Sequence, residues 1–327
     1  MCSCCHCQRQ LAENNSDVFR AIRDLADRQQ QLTELLVSAL SSTTEGQILL
    51  KTHIDQGFMN RLNATPFIVG GPLIQPTFTD TFPECCVIGT IEAGMRVFQG
   101  GETVSGSGVL IHPRMVLTAA HIERAKVVAL NVLDIESPTQ NTEFIEARRI
   151  PYPDPRHDLA LLILHEKAKT LPQKLATSEQ INQAKEITIV GFGTEKKSGS
   201  GTFGKKRIGE KVTIRSLERA NGNNESPDLG QLLGYNLKFE FTAWGSDPFV
   251  SNCEGDSGGP AYIITPEGNK FITGITKGYL LPDPLNPFAP KCGKGGVYTR
   301  VDKHLEWIKK VAKECLLEDI DKYLSPA

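Results

Sequence analysis

The sequence predicts an all-β sandwich or barrel behind a helical N-terminal segment, and three observations carry that prediction. From residue 68 onward, short β-rich runs follow one another, separated by Gly, Pro, Asn and Asp clusters. Residues 11–39 instead space their apolar side chains alternately by four and three. The stretch Leu305 to Val311 has helical rather than strand periodicity.

Along the chain, Leu11, Val18, Ile22, Leu25, Leu32, Leu36 and Ala39 form a narrow stripe interrupted by polar Asn15 and Gln29. This is the pattern of a helix packing along one seam, in which buried polar residues fix register. Residues 41–46 break the stripe, and Leu50, Ile54, Phe58 and Leu62 mark a second helix over 47–62. Pro66 ends helical character, because proline disfavours the helical conformation of the residue before it. The pair reads either as a helical hairpin packed on the next domain or as a self-association or recruitment module over 11–62. The β-rich runs lie at 86–91, 108–111, 115–117, 125–130, 159–164, 187–190, 211–214 and 262–264. Residues 198–201 and 221–224 read as flexible loop tips. These signals divide the chain into a segment 1–67 and a domain 68–327.

Composition narrows the function classes. With 39% hydrophobic and 23% charged residues, the 327-residue chain has an ordinary globular composition. Lys+Arg 36 against Asp+Glu 38 leaves a formal charge of -2, which gives no electrostatic footprint for nucleic acid. No apolar run reaches the roughly 18 residues of a membrane span. The first ten residues lack the apolar core of a signal peptide, so the expected location is cytoplasmic. The alternatives are a non-standard export route or a membrane anchor made by acylating the N-terminal cysteines. Nine cysteines, an odd number, leave at least one thiol without an intramolecular partner. Cys4, Cys5, His6 and Cys7 have the chemistry of zinc ligands, but residues 8–52 offer no second pair. A disordered thiol-rich tail is the expectation there, with no metal and no cofactor.

Three distant segments carry chemistry. Leu117-Thr118-Ala119-Ala120-His121 runs an apolar strand into a histidine, and His157-Asp158-Leu159-Ala160-Leu161-Leu162 sets an aspartate at the head of a buried strand. Cys253-Glu254-Gly255-Asp256-Ser257-Gly258-Gly259-Pro260 is a glycine-rich turn around a serine. A serine hydroxyl becomes nucleophilic only when a base takes its proton. His121 would be the general base, its neutral imidazole taking that proton. Asp158 would hold the other ring nitrogen and stabilise the imidazolium. The glycines permit unusual backbone angles, so that the amides of Gly255 and Ser257 converge on a developing oxyanion. Singly, each residue has a bland reading as a turn or structural residue. Jointly they predict acyl transfer.

These segments resemble the Thr-Ala-Ala-His, Asp-(Ile/Leu)-Ala-Leu and Gly-Asp-Ser-Gly-Gly-Pro motifs of the trypsin/chymotrypsin-like serine proteases. Gly191-Phe192-Gly193 is similar to that family's Gly-Trp-Gly, and Gly296-Val297-Tyr298-Thr299-Arg300-Val301 and Trp307-Ile308 also match. The resemblance runs from about Ile68 to Val311. It implies two six-stranded antiparallel β-barrels with a C-terminal helix, and a serine endopeptidase acting on proteins or peptides. It further implies a Cys253–Cys292 disulfide, with two reduced neighbours as the alternative. Where the family usually has a cysteine after the histidine, this chain has Ile122, so that bridge is missing.

The resemblance also implies an activation site and a specificity pocket. Ile68-Val69-Gly70-Gly71 looks like the family's mature N-terminus, released by cleavage after Phe67, with its new amino group pairing with Asp256. The bland alternative is an apolar strand start. Ser251 stands at the pocket base, with Gly278 and Gly296 on the walls; an uncharged pocket for a large apolar or aromatic residue follows, and not one for Arg or Lys. Lys277 offers the alternative of an acidic substrate residue. Two other functions compete with the endopeptidase. One is a binding or signalling protein on an inactive protease fold, and the other is an adaptor-recruited protease whose N-terminal helices mediate protein–protein interaction.

Overall fold

A computed structural model describes residues 82–98, 105–194, 203–217, 236–245, 250–279, 292, 295–317 and 319–324. The expected helices over 11–39 and 47–62, the Cys2–Cys7 cluster, Phe67, Ile68 and the loop tips at 198–201 and 221–224 lie outside the described residues. Both barrels described below belong to one compact unit.

The first set of strands is β1 (Cys85–Glu92), β2 (Met95–Val97), β3 (Gly106–His112), β4 (Met115–Thr118), β5 (Val127–Leu130), β6 (Glu143–Pro151) and β7 (Ala160–Leu164). They pair antiparallel in the order β2-β1-β3-β4-β7-β6-β5, and pairing of β1 with β5 closes six of them into a barrel, with β2 appended as a hairpin arm. After α1 (Ser178–Gln183) come β8 (Glu186–Gly191), β9 (Arg207–Ser216), β10 (Glu240–Trp244), β11 (Pro260–Ile264), β12 (Lys270–Tyr279) and β13 (Gly296–Arg300). These close a second barrel in the order β10-β13-β12-β11-β8-β9. The helices α2 (Leu305–Glu314) and α3 (Ile320–Leu324) end the described chain. The expected two-barrel architecture with its C-terminal helix is the one observed.

The unbroken apolar runs have a packing reason. Strand side chains alternate between two faces, and in the first barrel both faces are buried. Ile88, Leu110, Val116, Val128 and Leu162 point into the barrel. Their chain neighbours Val87, Val109, Ile111, Leu117 and Leu161 join a second cluster with Ile189, Val190, Tyr262 and Ile275 of the other barrel and Ile308 of α2. Burying each such side chain contributes about 1.5–3 kcal/mol. This seam between the barrels also holds polar contacts: Lys206 Nζ donates to the Phe82 carbonyl at 2.7 Å and Tyr262 Oη to Glu84 Oε1 at 3.0 Å.

Several elements went unread in the sequence. Strand β6 is half-exposed, with Glu146 and Arg148 outward and Ile145 and Ala147 inward, so charge masks its strand character. Helix α1 has only six residues and is announced by a capping box, with Gln180 N donating to Thr177 Oγ1 at 3.1 Å and Thr177 N to Gln180 Oε1 at 2.8 Å.

Candidate active site

The three signal segments converge at the cleft between the barrels. His121 follows β4, where Thr118 Oγ1 donates to the Ser107 carbonyl at 2.8 Å and Ala119 is fully buried. Asp158 leads into β7 and is 9% exposed. Its Oδ1 accepts from the His121 backbone N–H at 2.9 Å, and its Oδ2 lies 2.6 Å from His121 Nδ1. A carboxylate only accepts, so Nδ1 carries a proton; in the neutral ring, Nε2 then presents the lone pair. Ile122 sits fully buried inside the first barrel with Ala119 and Ala125. Apolar packing therefore occupies the place of the missing disulfide behind the histidine.

Ser257 reaches the same cleft from a loop held by its main chain. Ser107 N donates to the Ser257 carbonyl at 2.8 Å, Gly258 N to the Thr276 carbonyl at 2.7 Å and Gly259 N to the Asp256 carbonyl at 2.9 Å. Gly258 has φ +81°, and a Cβ there would lie 2.2 Å from both the Ser107 carbonyl oxygen and Thr118 Oγ1. Only glycine fits. Among the described residues, the amides of Gly255 and Ser257 meet no hydrogen-bond acceptor. The cleft, about 750 Å³, is lined by His121, Asp158, Gly255 and Ser257, with Tyr152, Pro153 and Gly278 on its walls.

Behind the serine, Asp256 is 2% exposed. Its Oδ1 accepts from Gly193 N at 2.8 Å and its Oδ2 from Cys253 N at 2.8 Å. Burial pushes its carboxyl up to about 6, against the pull of those two amides and of Arg207. Arg207, buried in β9, donates from Nη1 to the Gly193 carbonyl at 2.8 Å. The Cys253–Cys292 bridge is formed, with Cα atoms 5.1 Å apart. By contrast, Cys85 and Cys86 are free and buried, and burial raises both thiols, Cys86 to about 12, so neither is a thiolate near neutral pH.

Of the three pocket candidates only Gly278 lines the cleft; Ser251 and Gly296 are buried behind it, and Asn252, which no sequence signal announces, lies between them. Ser251 is fully buried, its Oγ donating to the Asn252 carbonyl at 3.1 Å and accepting from Gly295 N at 3.3 Å. Asn252 Nδ2 donates to the Gly278 carbonyl at 2.7 Å. A Cβ on Gly296 would stand 2.0 Å from Asn252 Oδ1 and 2.6 Å from Tyr298 Oη. The Asn252 amide thus spans the walls carried by Gly278 and Gly296. Lys277 lines the cleft, but its Nζ is 2.7 Å from Oε1 of the buried Glu240. That ion pair offsets the positive charge the sequence alone would leave in the cleft. No spacing signal announces Asn252, Arg207 or Glu240, because each meets its partner only once the chain is folded. Among the described residues, no group of three or more His, Cys, Asp or Glu side chains is placed to hold a metal, and no helix is long and apolar enough to cross a membrane.

Two antiparallel barrels with a serine, a histidine and an aspartate gathered on the cleft between them define the two-barrel class of serine proteases. The family model described as Trypsin matches residues 89–308, and the chain belongs to the trypsin family of serine proteases. Complement C1s subcomponent of Bos taurus is 25% identical over 244 residues, covering 65% of this chain and 33% of that protein. Inactive CLIP domain-containing serine protease A28 of Anopheles gambiae is 27% identical over 244 residues, covering 68% and 59%. The chain thus spans 33% and 59% of the length of these two curated relatives. A solved structure described as "Structure of GrC" is 22% identical with a TM-score of 0.53, over 75% of this chain and 99% of its own, a likeness of fold.

Proposed function

We propose that the protein is a serine endopeptidase. Ser257 Oγ attacks the peptide carbonyl while His121 Nε2 takes its proton. The tetrahedral oxyanion is held by the amides of Gly255 and Ser257, and collapse transfers the His121 proton to the leaving amine, giving an acyl-enzyme on Ser257 that water then hydrolyses. Asp158 keeps His121 in the Nδ1–H tautomer and stabilises the imidazolium. The observation that carries this reading is the 2.6 Å contact between His121 Nδ1 and Asp158 Oδ2, on a cleft that also exposes Ser257.

Activation by cleavage between Phe67 and Ile68 belongs to the same proposal, with the new amino group pairing with Asp256. So do a cytoplasmic location and a recruitment role for residues 11–62, which subcellular fractionation and size-exclusion measurements on that fragment test. The experiment for the enzyme is a peptide-library digest with the intact chain, with a chain starting at Ile68, and with Ser257→Ala. Cleavage by the wild type and a loss of about 10⁶-fold in turnover for Ser257→Ala are expected. Greater activity of the Ile68-started chain supports the activation step. The competing reading, a binding protein on an inactive fold, is favoured by a relative named as inactive. A Ser257→Ala chain that keeps its full biological effect would establish that reading.

A further inference from the structure

Beside Asp158 lies a histidine pair that the acyl-transfer chemistry does not use. His157 Nδ1 is 2.7 Å from His304 Nε2, and His304 Nδ1 is 2.6 Å from the Arg300 carbonyl oxygen. A carbonyl can only accept, so the His304 proton sits on Nδ1, its Nε2 presents a lone pair, and His157 Nδ1 is the donor. Burial holds both rings neutral, pushing His304 down to about 4 and His157 below its ordinary value. The His157 ring is also stacked on both faces, by Phe239 with centroids 3.8 Å apart and by Tyr152 at 4.7 Å. His304 meets the edge of Tyr152 at 5.0 Å.

We propose that His157 and His304 are positioning residues for Asp158, an imidazole–imidazole bond that latches the segment leading into β7 onto the end of β13 and the start of α2. His157 immediately precedes Asp158 in the chain, and His304 stands immediately before α2. Thr299 Oγ1 of β13 donates to the Asp158 carbonyl at 3.4 Å, a second tie from the same strand. His121 and Asp158 both come from the first barrel, where Tyr152 N donates to the Leu159 carbonyl at 2.8 Å, whereas Thr299 and His304 tie Asp158 and its preceding residue to the second barrel and the helix behind it. The latch therefore sets the carboxylate's angle to His121 relative to the barrel that carries Ser257. A displacement of about 1 Å in such a constellation costs up to about 10²-fold in rate. This inference rests on the reading of Asp158 as the orienting carboxylate.

The test compares His304→Phe, which keeps the ring and removes the acceptor, with His304→Gln, whose side-chain oxygen accepts from His157 and which carries no titrating ring. We expect His304→Phe to lower kcat per titrated active site by about 10- to 100-fold with KM unchanged, and His304→Gln to recover to within about threefold of wild type. The low-field proton resonance of His121 Nδ1–H against Asp158 should shift in His304→Phe and return in His304→Gln. That resonance needs no turnover. Read in a Ser257→Ala background, it judges the latch even where the endopeptidase reading fails. Should His304→Phe not fold, His157→Leu against His157→Asn makes the same comparison from the less buried end. Equal kcat and an unmoved resonance overturn the proposal. So does an equal loss in both His304 variants, which makes the site mere packing, or a change in KM alone, which assigns the pair to the Tyr152 wall of the cleft.

Discussion

On the first-barrel side of the cleft, His121 and Asp158 are bonded to each other through their side chains. On the second-barrel side, Ser257 is held by its backbone, by a left-handed glycine and by a buried carboxylate behind it. The first arrangement is fixed by apolar packing, with Ile122 and Ala119 in the barrel core and Asp158 leading directly into the fully buried β7. The second depends on the Cys253–Cys292 bridge and on Asp256 being satisfied in a place water does not reach. One half is a side-chain pair on a rigid wall, and the other is a folded loop whose geometry its own polar interior maintains. The two halves should therefore fail in different ways.

The largest separation is expected from chemistry. Asp158→Asn leaves a neutral amide that cannot hold the Nδ1–H tautomer, and kcat should fall about 10⁴-fold with little change in melting temperature. A loss below tenfold would mean that the two halves do not cooperate as described. Next comes the bridge. Reducing Cys253–Cys292, or replacing both cysteines with Ser, should cost about 4 kcal/mol, because the bond closes a loop of 39 residues. Thermal melts with and without reductant measure it, and activity should be lost before the first barrel unfolds. Ile122→Ala should cost about 2–4 kcal/mol by opening a cavity in the first-barrel core. Its kcat per titrated site should stay within a few-fold of wild type, since the cavity lies behind His121 rather than in the cleft.

The smallest effect is one of pH. The folded-state pKa of Asp256 is raised from 3.8 to about 6, so between those values the folded protein holds a proton that the unfolded chain has released. Stability therefore falls as pH rises through that window, by up to about 3 kcal/mol, and levels off above it. Asp256→Asn lacks this component. In denaturant unfolding, the stability of wild type relative to Asp256→Asn should decline from pH 4 to pH 7. A flat difference would show that the carboxylate is already ionised in the loop at acid pH.

The parts of this arrangement that were legible in the sequence share a physical property. Residues 253–260 set three glycines beside Ser257, so a tight turn around the serine is announced by composition alone. Long apolar strands such as Ala160–Leu164 are equally plain, because both faces are buried. What stayed hidden depends on pairings between remote strands. Asn252 bridges Gly278 and Gly296 only once β12 and β13 are paired, and His157 meets His304 across 147 positions. Glu240, buried against Lys277, reads in the sequence as an ordinary surface charge, since burial of a single side chain has no periodic signature. The two-barrel fold was therefore more visible than the supports around the cleft.

The most direct measurement is covalent. Intact protein treated with a fluorophosphonate, which a serine nucleophile attacks only when a base has activated it, should gain one adduct, located on Ser257 by peptide mass spectrometry. The adduct should be absent in His121→Ala and form at a strongly reduced rate in Asp158→Asn. An unlabelled Ser257 in both the intact and the Ile68-started chain would contradict the account, and so would labelling at the same rate without His121.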